Sequence, residues 1–257
     1  MPKDRSRVVS SFTVIKGSLI GPTYEAFQGW DYNLTKRQNL DRMAVGASSA
    51  NWQRDVSKTL NRRFDPEGRD RALVELAKAR FDPEAWRPLL LWHMTRDEFL
   101  VRDFLVGWLY PQFTSGTFRV RTEDVLGYVK SLTKRKSVVW SGKWSDSTTS
   151  RVASGLLRLA CDFGLMHGSQ AREFASFHLP DPSLLYLLHA MSEAEPNARK
   201  MIQSKDWRMY LMDASDVERE ILRLHQFRNL HYEVAGSLSQ LELPHRTALD
   251  CARGLCA

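Results

Sequence analysis

Ser147, Arg151, Ser154 and Arg158 recur at i, i+4, i+7 and i+11, so a helix through them carries two guanidinium groups and two hydroxyls along one line. Such a line suits nucleic acid: arginines reach phosphates or guanine edges, and hydroxyls accept or donate at either. The neighbouring sequence repeats the theme. Lys134, Arg135, Lys136 and Lys143 lie upstream, with Arg119 and Arg121 before them and Arg172 after, and residues 119–158 carry a net charge of +6. The upstream lysines read as phosphate holders that set register rather than sequence preference, and Arg172 as the tip of a hairpin against backbone or minor groove. A second basic helix, at 49–64, has Arg54, Lys58 and Arg62 on its polar side, with Arg63 close by. Both faces have a plainer reading as solvated helix surface. Trp52, Trp140 and Trp144 stand near these cations and have the ring faces to stack on bases, although tryptophans at such spacings commonly belong to a core.

Other chemistry is thinner. His93 with Asp97, Glu98 and Asp103 is the best acid/base cluster, but these residues alternate with large apolar groups, as in a satisfied interhelical network. His225, His231 and Glu233 have no spacing typical of a metal site, and Cys161, Cys251 and Cys256 match no zinc pattern. Glycines such as Gly17 and Gly21 are isolated, so no phosphate-cradling loop is present and no nucleotide cofactor is expected. The chain reads as non-enzymatic and free of cofactors and metals.

Charge and cysteine content set the class. The 257 residues carry a net charge of +7, with 43% hydrophobic and 26% charged side chains, a globular composition. The first 160 residues are +10 and the last 97 are −3. The basic balance favours a polyanionic partner through counterion release. Three cysteines fit a reducing compartment better than a disulfide framework. The charged opening Met1-Pro2-Lys3-Asp4-Arg5-Ser6-Arg7 is followed by no signal-type stretch, and no apolar run approaches the ~18 residues of a membrane helix, so a cytoplasmic, membrane-free protein is expected.

The elements that must hold these side chains are punctuated by caps. Asp65-Pro66, Asp82-Pro83 and Asp181-Pro182 each join an N-cap acceptor to a residue suited to the first helical position, predicting helices near 66–80, 83–95 and 182–193. Glu195-Pro196 suggests a short one, and Ser215-Asp216-Val217-Glu218 has capping-box spacing before a helix to about 227. Trp52, Val56, Leu60 and Phe64 form the apolar stripe of 49–64; 99–110 and 122–132 also read as helices. Ser145-Asp146-Ser147 caps a helix to 163 whose inner face is Val152, Leu156, Leu159, Ala160 and Phe163. After Gly164, a short strand, a turn at 168–172 and a return strand at 173–179 complete a winged-helix-like unit over about 119–179. One defect is the gap between the helices, twelve residues from Leu132 to Ser145, longer than a helix-turn-helix turn unless 137–140 forms a strand. A further hairpin is suggested by 230–234 and 238–243. The expected fold is mainly α, a compact helical bundle with one or two short β-hairpins, divided softly into 1–115 and 116–257.

Taken together, four segments resemble the BrxA family of the BREX phage-defence systems of bacteria. They are Ser11-Phe12-Thr13-Val14-Ile15-Lys16-Gly17-Ser18-Leu19, the basic helix from Trp52 to Phe64, the helix from Ser147 with its Gly164-Leu165 exit, and Leu224-His225-Gln226-Phe227 through Ala235-Gly236-Ser237-Leu238. The resemblance implies a NusB-like helical organisation and a small, non-enzymatic DNA-binding component acting beside a methyltransferase, an ATPase and a phosphatase-like protein. No family motif assigns contact residues. Binding to double-stranded DNA is the leading expectation, with an adaptor for other defence proteins and an RNA binder as the alternatives.

Overall fold

The computed structural model describes residues 7–42, 49–135, 138–140, 142–236 and 238–256; for Leu238 it describes the backbone alone. Along the chain run β1 (Val8–Val9), α1 (Ser11–Lys16), α2 (Ile20–Gln28), α3 (Lys36–Arg42), α4 (Ala50–Arg63), α5 (Arg71–Lys78), α6 (Pro83–Thr95) and α7 (Phe99–Phe104). A π-helical segment, Leu105–Leu109, joins α7 to α8 (Tyr110–Thr114), followed by β2 (Val120–Arg121), α9 (Thr122–Leu132), β3 (Val139–Trp140), α10 (Asp146–Asp162), β4 (Met166–His167) and β5 (Ala171–Phe174). The remainder is α11 (Asp181–Ala194), α12 (Ala198–Ile202), a 3₁₀ turn (Lys205–Tyr210), α13 (Ala214–Gln226), β6 (His231–Ala235), β7 (Leu238–Glu242) and α14 (Ala248–Gly254). The protein is mainly α. One hydrophobic cluster, with Trp86, Leu89, Phe104, Leu156, Tyr186 and Trp207 all buried, takes residues from both 1–115 and 116–257.

Local chemistry explains most of the helix starts. Asp82 accepts the Glu84 N–H at 3.1 Å with Pro83 in the first turn, and Ser145 accepts the Thr148 N–H at 3.2 Å. At four starts the capping residue differs from the sequence expectation. The chain does not turn helical at Pro66; α5 waits until Arg71, after a turn in which Asp65 N–H donates to Asp70 at 2.6 Å. Asp181 does not cap α11, since its carboxylate is taken by Arg223 (3.0 Å) and Pro180 stands at the cap. Asn197, not Glu195, caps α12 by accepting the Lys200 N–H at 3.0 Å. The α13 capping box is Asp213 with Asp216, two residues earlier than the serine-led box. The helix expected at 99–110 continues to Thr114, widening into the π segment just ahead of Pro111, whose ring clashes with the carbonyl four residues back.

The sheets are small. β1 pairs in parallel with β3, Val8 opposite Val139 and Val9 opposite Trp140, so the long connection between α9 and α10 is tied to the start of the chain. Ser137, at the start of the expected 137–140 strand, lies outside the described residues. β2, β5 and β4 form a three-stranded sheet in that order, antiparallel throughout. The return strand is Ala171–Phe174 rather than 173–179, because β2 and β4 pair only with those residues. β6 and β7 form the second hairpin, in register from His231–Glu242 to Ala235–Leu238.

α10 is positioned by contact with α9 on one side and α1 on another. At Gly155 a Cβ would lie 3.1 Å from the Val14 carbonyl and 3.1 Å from its Cγ1, so the missing side chain is what lets α1 approach so closely.

Candidate nucleic-acid interface

The outward strip of α10 is as the helical spacing requires. Ser147, Arg151 and Arg158 are exposed and Ser154 is half-buried, while Val152, Leu156, Leu159, Ala160 and Phe163 are buried behind them. Among the described residues neither arginine meets a carboxylate within ion-pair distance, so both charges face solvent unneutralised. Ser147 bonds Ser145 through its hydroxyl at 2.9 Å, part of a small hydroxyl cluster at the helix start. Lys134, Lys143 and Arg121 are also exposed, and no carboxylate of the described residues pairs with them. Lys136 lies outside the described residues.

The other cations expected at this surface are committed elsewhere. Arg119 is paired with Glu173 at 2.8 Å, and Arg135 with Asp103 at 2.9 Å. Arg172 is not on the turn. It sits in β5 opposite Val120 with 7% of its surface exposed, beside Cys161, because the turn closes at 168–170 and the strand begins sooner than its apolar alternation suggested. On α4, Arg54 is exposed but hydrogen-bonded to Asn51 of its own helix, and Lys58 lies over the Phe12 ring at 5.0 Å. Arg62 points inward instead of outward, 3.9 Å from Glu98 and mostly covered.

Arg63 is the residue that sequence reasoning underrated. Fully buried, it donates to the Thr13, Gly17 and Ser18 carbonyls at 2.9–3.0 Å and approaches Glu98 at 3.5 Å, which also accepts from the Thr13 hydroxyl. This knot ties α4 to the ends of α1 and to the start of α7. Its only sequence trace is a position on the apolar side of the 49–64 stripe, one residue from Phe64.

The acid/base cluster does not assemble. His93 Nδ1 meets Asp70 at 2.6 Å and its Nε2 meets the Tyr186 hydroxyl at 2.8 Å, all three buried. Burial and the neighbouring Arg96 charge push His93 down to about 4, so the imidazole is neutral. Asp97 pairs with Arg69, Glu98 joins Arg63, and Asp103 accepts from Tyr128 at 2.7 Å and from Arg135. His225 accepts the Tyr232 N–H at 3.1 Å, and His231 pairs with Glu233 at 3.0 Å. Among the described residues no group of three or more His, Cys, Asp or Glu is arranged to hold a metal. The three cysteines are free, Cys251 buried and Cys256 exposed.

Trp140 and Trp144 pack edge to face, centroids 4.8 Å apart, against the core beside Lys143, while Trp52 is 39% exposed at the outer end of α4 although the stripe places it inside. Among the described residues no helix is long and apolar enough to cross a membrane.

Comparison with known proteins gives one match: the family model described as BrxA covers residues 28–190 of the chain. That span holds α4, α9, α10 and the three-stranded sheet. No curated protein and no solved structure matches.

Proposed function

We propose that this chain, which belongs to the BrxA family, is a non-catalytic component of a BREX phage-defence system that binds double-stranded DNA through a basic surface centred on α10. The observation that carries the reading is the pair Arg151 and Arg158, outward on one strip of a rigid helix and unopposed by carboxylate. The strand order β2-β5-β4 packed with α9 and α10 supports a winged-helix docking in which α10 approaches the major groove and the hairpin flanks it. Lys134, Lys143 and Arg121 add phosphate contacts at the edges. Affinity then comes mainly from phosphates and is tolerant of sequence. The dispersal of His93, Asp97, Glu98 and Asp103 among separate structural partners supports a binding role without turnover.

The test is a salt-titrated anisotropy series on a labelled duplex. The log of affinity should fall by about 0.9 per phosphate for each tenfold rise in salt, and Arg151→Glu with Arg158→Glu should flatten that slope by roughly two. Undiminished binding by the folded double variant removes α10 from the interface. Two rivals are read in the same assay. Stronger competition by structured RNA than by duplex DNA favours an RNA partner. No polyanion affinity at physiological salt, with co-purification of the methyltransferase, ATPase or phosphatase-like subunit, favours an adaptor; the neutralisation of Arg119 and Arg135 by their own carboxylates is the observation on that side.

A further inference from the structure

The outer face of α10 over its first turns is made by Asp146, Ser147, Ser150, Arg151 and Ser154, at i, i+1, i+4, i+5 and i+8. The first four are exposed and Ser154 is half-buried, while Thr149, Val152 and Ala153 between them are buried. Asp146 is the one carboxylate on this face. Ser145, not Asp146, caps the helix by accepting the Thr148 N–H at 3.2 Å. Among the described residues the Asp146 carboxylate has no hydrogen bond and no cation within ion-pair distance. The other acid of α10, Asp162, is engaged: it accepts from the Ser18 hydroxyl at 2.8 Å.

A free carboxylate is out of place on a surface suited to phosphates. Arg151 and Arg158 are exposed on the same helix and Lys143 lies three residues ahead, so the Asp146 charge weakens their field and repels each approaching phosphate. Its interaction with the helix dipole favours folding slightly, a contribution read in stability and not in binding. Against base edges the same group is selective. An ionised carboxylate only accepts hydrogen bonds, and the exocyclic donors of the major groove are the cytosine N4 and adenine N6 amines. Adenine sets its N7 acceptor beside that amine, which repels a second acceptor; cytosine does not. Residues in the first turns of a recognition helix are the ones that reach base edges.

We propose that Asp146 is a specificity-determining residue, which accepts a hydrogen bond from the N4 amine of a cytosine in the major groove. The inference rests on the reading of α10 as the DNA-facing helix. Phosphates still supply most of the affinity. Asp146 adds a preference at one base pair, because sites without that amine leave its carboxylate desolvated and unpaired.

Selection of bound duplexes from a pool with a randomised core, using the full chain, tests this. Asp146→Asn keeps the shape but exchanges the acceptor for an amide that pairs with adenine N6 and N7, and Asp146→Ala removes the contact. Thermal melts check that both are folded. The expected result for the unmodified chain is enrichment of cytosine at one position by about fivefold or more. Asp146→Asn should replace that cytosine by adenine, and Asp146→Ala should lose the preference while binding random duplex about fivefold tighter. The proposal is overturned by no base preference in the unmodified chain, by a preference that Asp146→Ala leaves in place, or by weaker random-duplex binding of Asp146→Ala. The double variant Arg151→Glu with Arg158→Glu separates this inference from the reading beneath it. If that variant loses duplex binding while the Asp146 variants leave base preference unmoved, only the role of Asp146 falls. If it binds undiminished, α10 is not the DNA-facing helix and both fall.

Discussion

Arg151 and Arg63 carry the same group on helices that both pack against α1, and they meet opposite surroundings. Arg63 is buried, with three carbonyls and the Glu98 carboxylate around it. Arg151 is exposed, and nothing in the described protein answers its charge. A buried cation must be satisfied internally because its desolvation costs several kcal/mol, so Arg63 is spent on holding the fold. An exposed one keeps its hydration and stays available for a phosphate. The comparison teaches that a count of basic residues overstates a binding surface: Arg62, Arg119 and Arg135 are paired with carboxylates as Arg63 is, Arg172 is withdrawn from the surface by burial, and Arg151, Arg158, Lys134, Lys143 and Arg121 form the available set.

The strongest way to break this division is to exchange the two roles. Arg63→Ala should cost about 3–5 kcal/mol in chemical denaturation, by leaving Glu98 and three carbonyls without their partner, whereas Arg151→Ala should change stability by no more than about 0.5 kcal/mol. Equal losses would dissolve the distinction.

Acid tests the other buried network. His93 is held near 4, below its unfolded value of about 6.5, so the unfolded chain binds the proton first as the pH falls. Stability from this group is full above about 6.5 and is lost progressively toward 4, about 3 kcal/mol in all. His93→Gln should weaken the fold at neutral pH and flatten its pH dependence across that window. A wild-type stability curve without a decline from pH 6.5 to 4 would contradict the assignment.

A smaller effect links core to surface. Gly155→Ala places a methyl 3.1 Å from the Val14 carbonyl and should cost about 1–3 kcal/mol by pushing α1 from α10. A stability change near zero would mean that α1 gives way freely.

The finest test stays on the surface. Lys134→Gln or Lys143→Gln should each lower the salt slope of duplex binding by about one, while Arg119→Gln and Arg135→Gln, already neutralised by Glu173 and Asp103, should lower it by less. A reversed order would place the paired arginines at the interface.

Much of the scaffold was readable residue by residue. The Asp82-Pro83 and Ser145 starts, the inner face of α10, the glycine exit into a hairpin and the β6–β7 pair all rest on interactions within a few positions. The helix expected from 66 begins only at Arg71, after a turn that the Asp70 carboxylate closes on the Asp65 N–H. The helices expected near 182 and 215 form, but their caps are Pro180 and Asp213, and the Asp181 carboxylate goes to Arg223 across 42 residues. Arg172 falls in a strand and not on the turn for a related reason: a strand's extent depends on its neighbours, and pairing with β2 carries β5 back to Ala171 and Arg172.

The sequence by itself determined the helical periods, the caps and the excess of positive charge in the first 160 residues, because each depends on side-chain type and short-range spacing. Only the tertiary structure decided which of those charges are available. Ion pairing is set by distance in space, and the partners of Arg62, Arg119 and Arg135 lie 36, 54 and 32 positions away along the chain, where no local pattern announces them.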